Sequence, residues 1–497
     1  MNILIRPLTI EDAAVSYKWR NDPEIWRFTG ARPSMEITAQ VEREWLANTL
    51  KDKTKSRFAI LVDGVYVGNI QLTDIIVNKT AEFHIFIGEK TMWGKGVARE
   101  ATYQILTYAK EVLKLRTVFL EVRKEHKAAI KSYEKNGFVT QEIIADSIKM
   151  VCTMDHLKPP MVSVFCMVYN QEKYVAQTIE GFLMQKTNFS TVMVIGEDAS
   201  TDGSKEVILK YARTYPGKFK LLLSDKNFGA HKNQEKVLKH CTGKYIAMCE
   251  GDDYWTDPLK LQKQVSFMKA NPKYSLIFTN GRVLYSEENN LSQLIYSNGE
   301  DKINAYYSFP LPKETTDITT LAKGNYIHTA GVLFLNWTDE GLPTYMEKVT
   351  IGDWPLHLMT ATKGLIKFLD EDTFCYRIHS NGIYSKKNKI EKLRLALGQF
   401  SPVLSSGLFK KDVTNIIEDY FVKVAISYIS ICDSQKDYEF LLDTVLAINK
   451  PELTKKITLQ LIAKNVKLSN QVKNLKQYKT FNFKRVGKLF IKKYFKK

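Results

Sequence analysis

Carboxylates recur in short polar runs through the middle of this chain, the first two of them placed where an apolar run ends. GEDASTDGS (Gly196–Ser204), CEGDDYW (Cys249–Trp255) and GDWPL (Gly352–Leu356) carry them, and MVYNQEKYVAQTIEGFLMQ (Met167–Gln185) opens the region with an apolar run closing in a polar turn. Acidic groups at strand ends can hold a hard cation, accept hydrogen bonds from hydroxyls or take up a proton. Each run alone fits plainer work as well: a solvated turn with an Asx-type hydrogen bond, or a helix cap. Asp353 precedes Trp354 and Pro355. Proline is favoured in the first turn of a helix, so this carboxylate is expected at a helix start, where capping and catalysis are both open to it.

A second kind of chemistry lies toward the N-terminus. WGKGVAREA (Trp93–Ala101) follows an apolar run and opens a helical pattern. Glycines there let backbone N–H groups approach a pyrophosphate at the positive end of a helix, although Gly-x-Gly is also an ordinary tight turn. In LEVRKEHKAAIKSYEKNGF (Leu120–Phe138), Tyr133 shares a helical face with Ala129 and Ile130. That spacing suits either a core position or a working phenol. Glu82 and His84, two apart in AEFHIFIG, point to one face of a strand, as acid–base groups or as plain strand surface.

These side chains need scaffolds. DHLKPPM (Asp155–Met161) separates two periodic regions, and its double proline disfavours helix and suits a short extended linker. Before it the pattern is mixed: a strand at Ile3–Arg6, helices near Asp12–Asn21 and Ile37–Leu50, and a hairpin FAILVDGVYVGNIQL turning on Asp63-Gly64. Then follow strand AEFHIFIG, a helix from Val97 to about Leu113, strand TVFLEV, a helix over Lys127–Lys135 and a closing strand pair. After the linker, strands and helices alternate: VSVFCMVY, Tyr174–Met184, TVMVIGED, Ser204–Thr214, KFKLLLS, a helix through Asn233, and YIAMCE. Such alternation predicts βαβ units and a parallel sheet with ligands at the carboxyl ends of its strands. From about Lys386 amphipathic helical patterns take over. The fold class is therefore α/β in three parts, residues 1–157, 158–385 and a helical 386–497.

Length agrees, since 497 residues exceed what one ordinary core accommodates. The six cysteines are scattered without CxxC or CxxH spacing, which argues for reduced thiols and against a zinc site. No apolar run reaches the ~18 residues that span a bilayer, and the N-terminus meets an acidic pair too early for a secretory signal, so a cytoplasmic location is expected. The formal charge of +18 invites a nucleic-acid partner, but 14 Lys and Arg and no acid fall within Lys455–Lys497, so the excess belongs to a tail and no nucleic acid is expected.

The two N-terminal segments together resemble the GNAT acetyltransferases over about Ile3–Thr153, in particular the RimJ/RimL-like branch with a W-G-K-G loop and a terminal Y-E-K-x-G-F. The resemblance implies acetyl-CoA as cofactor, bound by Trp93, Gly94, Lys95, Gly96, Val97 and Ala98, with Tyr133 as the acid that protonates the departing thiolate. His126 stands where the family usually has Asn beside the cofactor arm. WRNDPEIWRF (Trp19–Phe28) resembles the corresponding stretch of enzymes that acetylate nucleotide-activated amino sugars, which would bring Arg20 and Asn21 to a substrate phosphate.

The four acidic constellations, in their order, resemble the family 2 inverting glycosyltransferases of GT-A fold, a Rossmann-like and mainly parallel architecture, over about Pro160–Tyr384. The resemblance implies a nucleotide-sugar donor and a divalent cation, Mn²⁺ or Mg²⁺, held by Asp252 and Asp253 with Glu250. Asp198, with Glu197 beside it, would contact base or ribose, with Asp202, Tyr169 and Asn170 nearby. Asp353 would be the base that deprotonates the acceptor hydroxyl. NYIHTAGVLF (Asn325–Phe334) and CYRIHSNGIYS (Cys375–Ser385) match flanking segments, and Arg377 and His379 would meet the diphosphate from a closing loop.

The expectation is a bifunctional enzyme of surface-glycan assembly acting on a glycan or lipid-linked acceptor. A protein acetyltransferase or a non-catalytic scaffold remains open for the first domain. At the C-terminus, Phe483, Val486, Phe490 and Tyr494 fall on one helical side with lysines opposite, which reads as a helix lying on the anionic inner face of the cell membrane or as a solvated one.

Overall fold

Alternating apolar residues build the first strands, and two turn residues that tolerate positive φ join them. β1 (Ile3–Pro7), α1 (Ala13–Arg20), α2 (Ala39–Thr49), β2 (Ser56–Val62), β3 (Val65–Ile76), β4 (Thr80–Ile87), α3 (Val97–Glu111), β5 (Thr117–Arg123), α4 (Lys127–Lys135), β6 (Val139–Ile144) and β7 (Ser147–Thr153) follow the expected order. The β2–β3 turn has φ of 47° at Asp63 and 83° at Gly64, the pair of positive values that a type I′ hairpin requires. The computed structural model describes residues 1–27, 35–287, 290–295, 303–304, 309–310, 313–349, 352–379, 382, 387–432 and 434–461.

These strands form one seven-stranded sheet in the order β1-β2-β3-β4-β5-β7-β6. Its neighbours are antiparallel except β4 and β5, which run parallel and pair only from Thr80 to Glu82 against Thr117 to Phe119. Beyond Glu82 and Phe119 the two strands part, and the backbone groups so released face a cleft. The core beneath the sheet is made by Ile5, Ile60, Ile70, Leu72, Val118 and Leu120 with the inner side of α3, Val97, Ala101, Ile105 and Leu106.

The next stretch alternates as expected: β8 (Val162–Val168), α5 (Glu172–Leu183), β9 (Thr191–Glu197), α6 (Ser204–Thr214), β10 (Phe219–Leu223), α7 (Ala230–His240), β11 (Tyr245–Met248), β12 (Tyr254–Trp255) and α8 (Lys260–Ala270). β10, β9, β8 and β11 are parallel neighbours, and β9, β8 and β11 are almost wholly buried, which is why they read as continuous apolar runs. The other half of the sheet is of a different kind. It uses β13 (Tyr274–Glu287), the short β14 (Asn290–Ile295), β17 (Thr315–Thr316), β18 (Leu333–Leu335) and β19 (Leu365–His379), while β15 (Ile303–Asn304) and β16 (Phe309–Pro310) pair only with each other, and α9 (Ile318–Leu321) and α10 (Asp353–Ala361) lie between strands along the chain. The order is β10-β9-β8-β11-β18-β13-β19-β12, with β18 antiparallel to both its neighbours and β12 antiparallel to β19, so a parallel half continues into an antiparallel one.

The chain divides into two compact units. Met1–Thr316, Tyr326–Leu342 and Lys363–Ile378 make the first, which holds both large sheets, and Asp317–Asn325, Pro343–Thr362 and His379–Lys497 make the second. In the second unit α11 (Lys389–Ser405), α12 (Lys411–Ile431) and α13 (Gln435–Ile448) pack through Leu397, Phe400, Ile417, Phe421, Tyr428 and Leu441. Capping boxes at Asn388/Glu391 and Ser434/Asp437 start α11 and α13. Among the described residues no helix is long and apolar enough to cross a membrane. The basic tail with its aromatic face, from Phe483 on, lies outside the described residues.

Candidate functional site

In the first domain the parted strands and the loop before α3 enclose a cavity of about 1390 Å³. Trp93 to Arg99 line one side, Glu82 to Ile87 and Leu120 to Arg123 the walls, and His126 and Tyr133 the α4 side. Gly94 and Gly96 have φ of 73° and 83°, a left-handed conformation that turns the loop so that Gly96 is the N-cap of α3. The amides at the start of this 15-residue helix are thereby presented at its positive end. Trp93 is fixed by its indole N–H, which donates to the Ile87 carbonyl at 2.8 Å. All six expected loop residues, Trp93 to Ala98, line the cavity.

Tyr133 is half-buried between Phe83 and Phe138, each ring 5.8 Å away, and burial pushes its phenol up to about 12. It holds its proton throughout the physiological range, as a proton donor must. Burial lowers the His126 imidazole below its ordinary value. The period-two pairing of Glu82 and His84 is also found: their side chains approach to 3.5 Å, and His84 Nε2 lies 3.0 Å from the Thr73 hydroxyl.

The far end of the cavity contains a cluster that spacing along the chain did not reveal. The Arg20 guanidinium lies 4.9 Å from the Trp45 ring and 5.4 Å from Trp26, and Arg57 lies 5.9 Å from Trp45. The Nε atoms of both arginines are buried without a hydrogen-bond partner. The Glu42 carboxylate is 3.9 Å from Arg20 Nε, within ion-pair range and beyond hydrogen-bond length. Burial pulls the Arg57 guanidinium below its ordinary value, with Asp52 acting the other way. Arg20 therefore lies on the cavity wall, whereas Asn21 does not. Its amide donates to the Ile37 carbonyl and accepts from the Ile37 N–H, both at 2.8 Å, so it clamps the chain and is not among the described lining residues.

In the second domain the strand ends converge. After β8, Asn170 adopts φ of 53°, its N–H donates to the Ser200 hydroxyl, and its Oδ1 accepts from the Thr201 N–H at 2.8 Å; Tyr169 beside it is exposed. At the end of β9, Glu197 is fully buried with one oxygen accepting from the Ser200 N–H at 2.6 Å and Oε2 without a partner. Asp198 is buried and accepts from the Phe228 and Gly229 N–H groups, so both its oxygens are used to hold the entry to α7. Burial acts to raise Asp202, but hydrogen bonds from Ser204 and from the amides of Glu172 and Ser204 outweigh it and hold the carboxyl below its usual value. Asp202 thus fastens the starts of α5 and α6, the capping role that acidic turns often play.

After β11, Asp253 turns inward. Its Oδ1 accepts from the Arg377 N–H at 2.9 Å, and its Oδ2 is buried with no hydrogen-bond partner. Burial, reinforced by Asp252 and Glu250, holds this carboxyl well above the usual range. Arg377 differs from the closing-loop expectation, for it lies within strand β19. Its guanidinium binds the Asp252 carbonyl and Gln177 and lies 4.6 and 5.0 Å from the Tyr174 and Tyr254 rings. It braces the acidic turn from behind. The alternating Cys-Tyr-Arg-Ile-His run is itself a strand signal, and His379 is the last residue of β19.

Among the described residues no group of three or more His, Cys, Asp or Glu side chains is gathered as a metal cage. The orphaned Oδ2 of Asp253 still suits a hard cation, and Mg²⁺ is commonly held by one or two carboxylates beside substrate phosphates. Gln171 Oε1 is a further buried acceptor without a partner at the same strand ends.

In the second unit Asp353 is the first residue of α10 and half-buried. The N-cap is Gly352, so Asp353 is not the capping residue. Trp354 anchors the helix through its N–H to the Leu321 carbonyl at 2.9 Å and through its ring against Phe400 and Tyr420.

Comparison with known proteins yields two matches along the chain. The family model described as Acetyltransferase (GNAT) domain matches residues 2–139, and that of Glycosyl transferase family 2 matches residues 163–332. An uncharacterized protein of Mycobacterium tuberculosis is 35% identical over 225 residues, which are 45% of this chain and 60% of that protein. The chain thus spans less than two thirds of the length of this relative. EpsE of Bacillus subtilis, named as a glycosyltransferase, is 34% identical over 128 residues, 26% of this chain and 45% of its own length. Spermidine N(1)-acetyltransferase of Escherichia coli is 32% identical over 139 residues, 28% of this chain and 73% of its own length.

Proposed function

For a chain whose first domain belongs to the GNAT acetyltransferases and whose second belongs to the family 2 glycosyltransferases, we propose a bifunctional enzyme of glycan assembly. It transfers sugar from a nucleotide-sugar in the second domain and acetylates an amino sugar in the first. The observation that carries the first half of this reading is the set of buried acceptors at the ends of β8, β9 and β11: Gln171 Oε1, Glu197 Oε2 and Asp253 Oδ2. Each calls for a donor or a cation, and a nucleotide diphosphate with a divalent ion offers both. Asp253, with Asp252, would hold Mn²⁺ or Mg²⁺, which when bound offsets charge on the departing diphosphate. Arg377 keeps Asp253 turned toward that place, Asp198 and Asp202 fix the surrounding turns, and Asp353 takes the acceptor proton in an inverting displacement. Hydrolysis of UDP-, GDP-, dTDP- and CMP-sugars, with Mn²⁺ and with chelator, tests this. Cation-stimulated turnover of one nucleotide class supports the reading, and no turnover of any contradicts it.

For the first domain, acetyl-CoA lies with its pyrophosphate on the amides of the 94–98 loop, and Tyr133 protonates the leaving thiolate. The acceptor carries an anionic group that Arg20 and Arg57 receive at the far end of the cavity, between Trp26 and Trp45. The unpartnered Nε atoms support an anion there. The named activity of the Escherichia coli relative favours a second reading, a polyamine acceptor, for which Glu42 and Glu82 would be the attracting groups. Acetyl transfer to UDP-amino sugars, spermidine and a basic peptide separates these acceptors, and transfer to spermidine alone would remove the amino-sugar reading. We read the domains as 1–157, 158–385 and 386–497, with the enzyme on the cytoplasmic face of a membrane through its basic tail. Loss of binding to anionic liposomes on truncation at about Lys479 is the expected result, and equal binding by both forms would remove the membrane contact.

A further inference from the structure

Within the first unit α3 touches the second domain along its length. Lys218, between α6 and β10, places its ammonium 3.1 Å from Glu100 Oε1, with side-chain exposures of 9% and 11%. Glu100 stands in the first turn of α3, and its N–H closes that turn on the Gly96 carbonyl at 3.2 Å. The same Oε1 accepts from Gln104, whose amide reaches the Ile3 carbonyl while its Oε1 accepts from the Ile5 N–H. Glu100 Oε2 is buried without a partner. The approach is close: Gly217 has φ of 82°, and a Cβ there would lie 1.9 Å from the Gln104 carbonyl oxygen. Near the cavity mouth, the Arg99 guanidinium donates to the Asn188 carbonyl of the second domain at 2.8 Å, and both residues line the cavity.

We propose that Lys218 of the glycosyltransferase domain is a positioning residue for the acetyl-CoA site of the acetyltransferase domain. The inference rests on the pyrophosphate being bound at the start of α3. A carboxylate in the first helical turn competes with a bound anion for the same positive helix end, and a buried one is poorly screened by solvent. Lys218 neutralises Glu100 from the neighbouring domain and leaves the helix end to the cofactor. Without it, an uncompensated buried negative charge stands in the first turn of the helix whose start holds the pyrophosphate. Affinity of the first domain for its cofactor therefore depends on a residue 118 positions from Glu100 in another domain.

Of the two single substitutions only Lys218→Met weakens binding, whereas in a merely structural pair both would. Acetyl-CoA is titrated calorimetrically into the full-length chain, with thermal unfolding as the check on folding. Lys218→Met weakens affinity on the order of tenfold. Glu100→Gln leaves it unchanged or tighter, and the double variant returns to within about threefold of the native value, small beside that loss. Equal affinity of native and folded Lys218→Met protein overturns the inference, as does weakening by Glu100→Gln comparable to that by Lys218→Met. Should Lys218→Met not fold, Lys218→Gln, which removes the charge and keeps a hydrogen-bond donor for Glu100, is read by the same comparison with Glu100→Gln and with native protein. A native chain that binds no acetyl-CoA removes the cofactor reading itself and this inference with it.

Discussion

The two candidate sites leave opposite kinds of polar atom without partners. In the acetyltransferase cavity the buried orphans at the acceptor end are donors, the Nε atoms of Arg20 and Arg57. At the strand ends of the glycosyltransferase domain they are acceptors, on Gln171, Glu197 and Asp253. A buried polar atom without a partner costs roughly 1–3 kcal/mol, so each set marks what its site is built to receive. Orphan donors await an anion, and orphan acceptors await hydroxyls, amides or a cation. The backbone differs in the same sense: the first site opens where two parallel strands part and two glycines turn the loop, while the second sits on fully paired strands whose ends carry the chemistry.

Substitutions that act on one site alone break or sharpen this contrast. The largest effect is expected from Asp252→Ala or Asp253→Asn, which should bring cation-stimulated sugar transfer to background while acetyl transfer is unchanged; turnover that survives in chelator would remove the cation from the account. Next, Asp353→Asn should lower kcat of sugar transfer by ~10² or more with donor affinity intact, the scale of general-base catalysis. Weakened donor affinity with normal kcat would mark Asp353 as structural. Tyr133→Phe should slow acetyl transfer by ~10² without loss of acetyl-CoA affinity. On the donor-atom side, Arg57→Gln should raise KM for a phosphate-bearing amino sugar by ~10-fold or more, the worth of one charge-assisted hydrogen bond, with little change in kcat. A lowered KM for spermidine in the same variant would favour the polyamine reading.

The smallest effect concerns an orphan in neither set. His357 in α10 is fully buried, both its ring nitrogens lack hydrogen-bond partners, and burial lowers its imidazole to about 3. In the unfolded chain the ring takes a proton below its ordinary ~6.5, while the folded ring stays neutral, so stability falls as pH drops from there toward 3. His357→Leu should raise stability by about 1 kcal/mol at neutral pH and flatten that acid loss in thermal unfolding scans. Lower stability at neutral pH would mean that the ring makes an interaction worth more than its burial costs.

Local pattern carried much of the fold. The helices at Lys127–Lys135 and Ser204–Thr214, the Asp63-Gly64 hairpin and the β8–β11 alternation are all legible, because continuous apolar runs and amphipathic periods reflect burial that each element achieves with its neighbours in sequence. The antiparallel half of the second sheet is less so, since β18 is three residues long and β12 two. Site residues divide likewise. The 93–98 loop and the acidic turns announce themselves by composition at element ends. Arg57, Trp45 and Gln177 do not, for nothing in their own segments differs from ordinary surface, and only the tertiary fold brings Arg57 and Trp45 to Arg20, and Gln177 to Arg377. Asn21 and Asp202 show the converse, polar residues in suggestive motifs whose hydrogen bonds are consumed in holding loops.

The most direct measurement is a calorimetric titration of the full-length chain with the preferred nucleotide-sugar, with and without Mn²⁺ and with and without saturating acetyl-CoA. Two separate sites of opposite character predict nucleotide-sugar binding that requires the cation, is lost in Asp253→Asn, and is not displaced by acetyl-CoA. Binding that ignores the cation and survives Asp253→Asn, or that acetyl-CoA displaces competitively, would contradict the account.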